Sequence, residues 1–323
     1  VSDAGTVADL LERARAGEAR ATGRLLTLVE RGGAPADAVA EATHAAAEGA
    51  AVVGITGAPG VGKSTLLGGL LATLERRGRR PAVLAVDPSS PLTGGAILGD
   101  RLRMVAAGSG AFVRSLATRG QQGGLALAVP GSIRVLDAAG FDPVLIETTG
   151  VGQVEVDVAS ATDTTVLVVA PGWGDAVQAN KAGLLELADV LVVNKADRPG
   201  ADDAVRDLEL MLDLGHVSGL EERRGRRAPV VRAVASREEG LDDVADAIEA
   251  HRAHLLQTGE LAARRAARDR GEVRARVEAL LAARTDVALA SPLGASALGA
   301  VREREISTVH AARRIADRVA PPA

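Results

Sequence analysis

One stretch constrains this chain more than any other: Gly57-Ala58-Pro59-Gly60-Val61-Gly62-Lys63-Ser64-Thr65. It matches the pattern G-x-x-x-x-G-K-[ST] at every fixed position. The run before it, Ala51-Val52-Val53-Gly54-Ile55-Thr56, is apolar and strand-like, and Thr65 to Leu74 reads as a helix. A strand–loop–helix setting turns the pattern into a mechanism. Glycines let the backbone wrap closely round a polyphosphate, with successive N–H groups aimed at it. The helix N-terminus adds its dipole, Lys63 a full positive charge, and the Ser64 hydroxyl a ligand for Mg²⁺. The loop alone does not name the nucleotide.

The rest of the chain supplies the fold. Short apolar runs recur at 51–56, 81–86, 111–113, 143–146, 165–170, 189–193 and 229–234, with helical stretches between them. Unbroken apolar runs suit strands buried on both faces of a parallel sheet. Their alternation with helices predicts a doubly wound, mostly parallel α/β P-loop domain over residues 50–255. Residues 1–49 read as a helical segment, with Leu10, Leu11 and Ala14 on one face and Leu25, Leu26 and Val29 on another. After His254 the strand signals stop. Residues 256–323 read as a helical extension, with a long run over 258–284, a break at Ser291-Pro292-Leu293-Gly294 and a second helix near 305–318. Aromatic residues make up 1% of the chain, so the core must be built from Ala, Val and Leu.

A second motif names the base. Asn194-Lys195-Ala196-Asp197 directly follows the apolar run 189–193. A carboxylate at Asp197 can accept hydrogen bonds from guanine N1–H and the N2 amine. Adenine offers neither there and would leave the acceptor unpaired. Asn194 can reach the purine edge or brace the phosphate loop, and the Lys195 stem can lie over the base. Downstream, the backbone N–H groups of Ala235 and Ser236, at the start of Ala235-Ser236-Arg237, are placed to meet guanine O6.

Between the two motifs, Glu147-Thr148-Thr149-Gly150 ends the run 143–146. Guanine-nucleotide hydrolases usually carry D-x-x-G here, the acid holding Mg²⁺ through water and the glycine N–H meeting the γ-phosphate. Glutamate is one methylene longer, which favours a water-bridged role or a shifted metal. The next residue, Val151, cannot orient water, and the nearest glutamine is Gln153, so slow unassisted hydrolysis is expected. Lys63 and Glu147 are about 84 residues apart, far more than in a minimal GTPase. The extra segment carries Asp87 and Asp100 as candidate Mg²⁺ or water-positioning carboxylates. Catalytic roles therefore fall on Lys63, Asp87, Glu147 and Gly150, and metal binding on Ser64, Asp87, Asp100 and Glu147.

Taken together, the segments VVGITGAPGVGKSTL, VLAVDPSSPLTGGAILGDRLRM, FVRSLATRGQQGGLA, LIETTGVGQVEVDVA, APGWGDAVQANKAGLLELAD and VVNKADRPGADDA resemble the MeaB/ArgK family of P-loop GTPases. They span about residues 51–205. The resemblance implies a GTPase that gates adenosylcobalamin loading into a cobalamin-dependent acyl-CoA mutase, methylmalonyl-CoA mutase first among them, and protects that enzyme. The mutase's adenosyltransferase is a further candidate partner. The resemblance also implies a homodimer built largely through the C-terminal helices. It assigns Asp87, Asp100 and Glu147 to magnesium, Asn194 and Asp197 to guanine, and Ala235–Arg237 to the base pocket. Gln153, Asp175, Gln178 and Lys181 fall in its switch segments. The expected ligands are GTP or GDP with Mg²⁺.

Composition narrows the alternatives. A net charge of −4 gives no global attraction to nucleic acid. No apolar run approaches bilayer length and the N-terminal residues do not read as a signal peptide, so the expectation is a cytoplasmic protein without membrane contact. A nickel-insertion GTPase would need Cys/His clusters, whereas the chain has no cysteine and only His251 and His254 lie close together, on what reads as an exposed helix end. An amino-acid-transport kinase would need an acceptor base and pocket, and neither is legible. No cobalt-ligating D-x-H-x-x-G loop occurs, so any cobalamin chemistry belongs to a partner.

Overall fold

The strands predicted from apolar runs all form, and they form one sheet: β1 (Val52–Thr56), β2 (Ala82–Asp87), β3 (Phe112–Ala117), β4 (Val144–Thr148), β5 (Thr164–Val169), β6 (Val190–Asn194) and β7 (Val230–Ala233). The computed structural model describes residues 3–87, 111–117, 124–148, 159–172, 188–217 and 226–319. The strand order is β3-β2-β4-β1-β5-β6-β7, and every neighbouring pair is parallel. β1 therefore sits between β4 and β5, and the C-terminal ends of these three parallel strands lie side by side at one edge. That is where open parallel sheets bind ligands. β3 runs past its predicted end at 113 because Arg114 and Ser115 interrupt its apolar pattern; it is an edge strand, paired only with β2.

Helices cover both faces. Before the sheet come α1 (Asp3–Arg15), α2 (Ala19–Arg31) and α3 (Gly33–His44). Between strands run α4 (Lys63–Arg76), α5 (Gly124–Ala138) and α6 (Ala201–Val217), and α7 (Leu241–Thr258) follows the last. Alternation within each strand divides the core. Val53, Ile55, Val83, Leu145, Val166 and Val190 face α4 and α7, whose contributions include Leu66, Leu70, Leu241 and Val244. Val52, Leu84, Val144 and Ile146 face the other way, into one cluster with Leu10, Leu25, Leu26 and Leu136 from α1, α2 and α5. Leu167, Leu191 and Val193 close against Leu208 and Leu212 of α6. Each fully buried Leu or Ile contributes roughly 1.5–3 kcal/mol, so a core almost without aromatic rings still holds the sheet firmly.

The edge of the sheet away from the phosphate loop is held by ions. α8 (Glu260–Ala290) begins there. Arg264 makes two 2.9 Å bonds to the Asp189 carboxylate just before β6. Arg265 reaches Asp163, just before β5, at 2.9 Å, and Arg268 reaches the same carboxylate at 3.3 Å. Both acids also accept strand N–H groups, Val52 N at 3.1 Å and Thr165 N at 2.8 Å. His251 belongs to this cluster, and the exposed helix end expected for it is wrong: it is 4% exposed. Its Nδ1 lies 2.9 Å from Thr164 Oγ1 and its Nε2 lies 3.4 Å from Asp189. Burial pushes the imidazole down from 6.5 to about 4, against the pull of Asp189.

The chain divides into two compact units, Val1–Arg268 and Asp269–Ala323. The second contains the later part of α8, then α9 (Pro292–Arg302) and α10 (Thr308–Val319), around Ala288, Ala297, Ala311 and Ile315. The break predicted at 291–294 is in fact a helix start. Ser291 caps α9 by accepting from Gly294 N at 3.3 Å, and Pro292 takes the first helical position, where a missing N–H costs nothing. Among the described residues, no helix is long and apolar enough to cross a membrane.

Candidate nucleotide site

The phosphate loop joins β1 to α4 at the centre of the sheet edge, and its glycines are required by their neighbours. Gly57 has φ +142, and a Cβ there would lie 2.1 Å from the Val168 carbonyl oxygen of β5. Gly62, at φ +96, caps α4, and a Cβ there would lie 2.4 Å from Asn194 Nδ2. An L side chain at either position meets both backbone strain and a clash. The loop thus passes hard against β5 on one side and the end of β6 on the other.

Lys63 opens α4 and is 7% exposed. Its Nζ donates to the carbonyls of Gly57 at 2.7 Å and Ala58 at 3.1 Å, which holds the charge under the loop it must serve. One residue on, Ser64 Oγ donates to Glu147 Oε1 at 2.7 Å. β4 places Glu147 beside Ile55 of β1 and Ala85 of β2. The longer glutamate therefore reaches the Ser64 hydroxyl directly, 83 residues away in the chain. Among the described residues, no group of three His, Cys, Asp or Glu converges as a metal cluster. At the loop, Ser64 and Glu147 pair a hydroxyl with a carboxylate.

Asn194 ends β6, is 2% exposed and resolves the choice of role left open by sequence. Its Nδ2 donates to Val61 O at 3.0 Å, and its Oδ1 accepts from Ala235 N at 3.1 Å. One amide thus braces the phosphate loop and ties it to the loop after β7. Lys195 takes φ +58 and donates to Gly60 O at 2.6 Å. Ala196 N bonds Ala233 O at 3.1 Å, so the two base-side loops are joined twice. Asp197 is held by Arg237, Nη2 to Oδ2, at 3.4 Å. A cavity of about 590 Å³ connects these parts, bounded by Gly60, Lys63, Ser64, Glu147, Lys195 and Ser236.

Glu238 also lines this cavity, with φ +58. Sequence reasoning missed it, because its place depends on a left-handed turn that a glutamate does not signal. Asp87 ends β2 at the same sheet edge as the loop. Asp100, Gly150, Val151, Gln153, Asp175, Gln178 and Lys181 lie outside the described residues.

Sequence comparison with known families now bears on this geometry. The family described as methylmalonyl-CoA mutase-associated GTPase MeaB matches residues 22–289. The chain belongs to the MeaB family. A Pyrococcus abyssi relative carrying a GTPase name is 45% identical over 283 residues, 87% of each chain. A fused isobutyryl-CoA mutase of Geobacillus kaustophilus is 37% identical over 241 residues, 71% of this chain and 22% of that protein. A crystal structure described as a LAO/AO transport system kinase superposes with a TM-score of 0.68 at 26% identity and covers 98% of each chain. Membership of the MeaB family makes this a P-loop GTPase fold and implies that it binds a guanine nucleotide.

Proposed function

We propose that this protein binds and hydrolyses GTP as a chaperone of a methylmalonyl-CoA mutase-type enzyme, gating adenosylcobalamin loading into it and protecting it. Two comparisons support the partner class. The family description couples the GTPase to methylmalonyl-CoA mutase. The matching segment also occurs within a fused isobutyryl-CoA mutase, where GTPase and mutase share one polypeptide. The chain's three parts then have distinct tasks: residues 1–49 support the sheet, 50–255 bind nucleotide, and the helices from 256 onward join two copies into a homodimer.

The observation that carries the hydrolytic reading is the 2.7 Å contact between Ser64 and Glu147 beside Lys63. Lys63 neutralises charge on the outer phosphates, and the loop N–H groups hold them in place. A partly buried hydroxyl–carboxylate pair fits Mg²⁺, which takes few protein oxygens and completes its shell with phosphate and water. When bound, the ion offsets charge developing on the phosphates. Asp197 selects guanine, and Asn194 couples the base loop to the phosphate loop. Val151, which follows the Glu147–Gly150 motif, cannot orient water, so turnover is slow until a partner completes the site.

The test is phosphate release from GTP under single-turnover conditions, with the protein alone and with a purified cobalamin-dependent acyl-CoA mutase. The expected result is slow hydrolysis alone, a rise of at least tenfold with the mutase, and co-elution of the two. A free-protein turnover time of seconds would overturn the partner-dependent reading. Unchanged rates and no complex with any acyl-CoA mutase would remove the chaperone role while leaving the GTPase.

A further inference from the structure

The nucleotide site occupies the edge of the sheet where the strands end. A second concave site lies at the opposite edge, where β2, β3 and β4 begin. It has a volume of about 860 Å³, within the range of small-molecule pockets. Its walls come from the turn between α1 and α2, the end of α4 and the first residues of β2 and β3.

The cleft is lined by five arginines, Arg15, Arg20, Arg79, Arg80 and Arg114, and one acid, Glu75. Two of the arginines are neutralised by neighbours: Arg79 by Asp142 at 2.5 Å and Arg114 by Glu30 at 2.7 Å. The other three make no described salt bridge, although Arg20 lies in the field of Glu18. Arg15 and Arg80 are nevertheless fixed in place. Arg15 donates to the carbonyls of Ala138 at 2.8 Å and Ala46 at 3.0 Å, and Arg80 to that of Ala139 at 2.9 Å. Neutral acceptors orient a guanidinium without cancelling its charge, so these cations are preorganised for an anion. Arg20 is exposed and makes no described hydrogen bond. It stands in the first turn of α2, after the N-cap Glu18, whose carboxylate is bonded to Arg13; the turn itself carries no acid, so the helix dipole adds to the arginine field.

The floor of the cleft is apolar. Both phenylalanines of the chain, Phe112 and Phe141, line it with Pro81. Their ring centroids are 5.6 Å apart, and Arg80 lies over Phe141 at 4.1 Å. Phe141 is buried core, whereas Phe112 is only partly covered and presents ring surface to the cleft. A solvated arginine surface would account for the charge alone. It would not account for a concave shape, guanidiniums pinned by carbonyls and an aromatic floor in a chain that has almost no aromatic residues.

We infer that this cleft is a second ligand site, for a small organic diphosphate whose anionic end meets Arg15, Arg20 and Arg80 and whose ring rests on Phe112 and Pro81. The site is separate from the phosphate loop, so its occupant acts on this protein as an effector rather than as the hydrolysed nucleotide.

The test uses the full chain in a stoichiometric GDP complex, which keeps the phosphate loop filled. ADP, which Asp197 disfavours at the first site, and inorganic pyrophosphate are titrated by calorimetry while retained GDP is monitored. The expected result is one saturable ADP site, tighter than that for pyrophosphate, with GDP retained and affinity at least tenfold lower in Arg20→Glu. Arg20 is exposed, makes no described hydrogen bond and lies outside the nucleotide site, so that variant should keep near wild-type melting and GTP turnover. Absence of saturable binding, binding unaltered by Arg20→Glu, or heat accompanied by GDP release would each overturn the site. Pyrophosphate binding as tightly as ADP would overturn the role of the aromatic floor.

Discussion

Asn194 bonds the phosphate loop and the base loop with the two ends of one amide, Nδ2 to Val61 O at 3.0 Å and Oδ1 from Ala235 N at 3.1 Å. The bridge spans 133 residues to one partner and 41 to the other, so occupancy at either end is felt at the other. Asn194→Ala leaves the buried Ala235 N–H without its partner and frees the loop. A stability loss of about 1–3 kcal/mol is expected, together with weaker GDP binding, read by denaturant melts and by titration. Unchanged GDP affinity would count against the bridge as a functional link.

Glu147 and Ser64 share a hydrogen bond of 2.7 Å at the foot of the phosphate loop. Glu147→Ala should reduce Mg²⁺-supported GTP hydrolysis by about 10²-fold, the usual scale for losing one electrostatic element of phosphoryl transfer. GDP binding measured in EDTA should change little. Equal losses with and without Mg²⁺ would show that Glu147 supports the loop rather than the ion.

In the proposed function Asp197 selects guanine by accepting two donors, whereas an amide in its place offers one donor and one acceptor. Xanthine carries a carbonyl where guanine carries its N2 amine. Asp197→Asn should therefore lower GDP affinity by about 10²-fold or more and raise that for xanthosine diphosphate. Competition between the two nucleotides is the measurement, and retained preference for GDP would refute the assignment.

His251 makes stability depend on pH. Its folded value, about 4, lies below the unfolded 6.5, so the unfolded chain binds more protons between the two. The groups facing it are Asp189, which opposes the shift, and Arg264, Arg226 and His254, which favour it. The stabilisation from a neutral imidazole is complete above pH 6.5 and is lost as pH falls towards 4. The full span is worth roughly 3 kcal/mol. Urea melts across this range should show stability rising with pH, with a shallower slope in His251→Gln. Equal slopes would exclude His251 as the source.

The strands and the phosphate loop were legible because local pattern carries them. A parallel strand buried on both faces must be apolar throughout, and a loop that wraps phosphate must have glycine where Gly57 meets Val168. Val53, Ile55, Val166 and Val168 show the first rule, and Gly57 and Gly62 the second. β3 was read short because Arg114 and Ser115 break the apolar run at a sheet edge, where burial on both faces is not required. Ser291-Pro292 was read as a stop although the same two residues cap and start a helix, since proline punctuates both events.

What the sequence by itself determined was therefore the sheet and the glycine-rich loop between β1 and α4, each encoded within a few consecutive residues. Tertiary structure decided what joins them. Only strand order puts Glu147 within reach of Ser64, sets Asn194 between two loops and buries His251 among Asp189 and Arg264. It likewise gathers arginines from α1, α2, the segment between α4 and β2, and β3 around one cleft. These are contacts between residues tens to hundreds of positions apart, and no local pattern records them, because their energy exists only when the sheet brings the chain together.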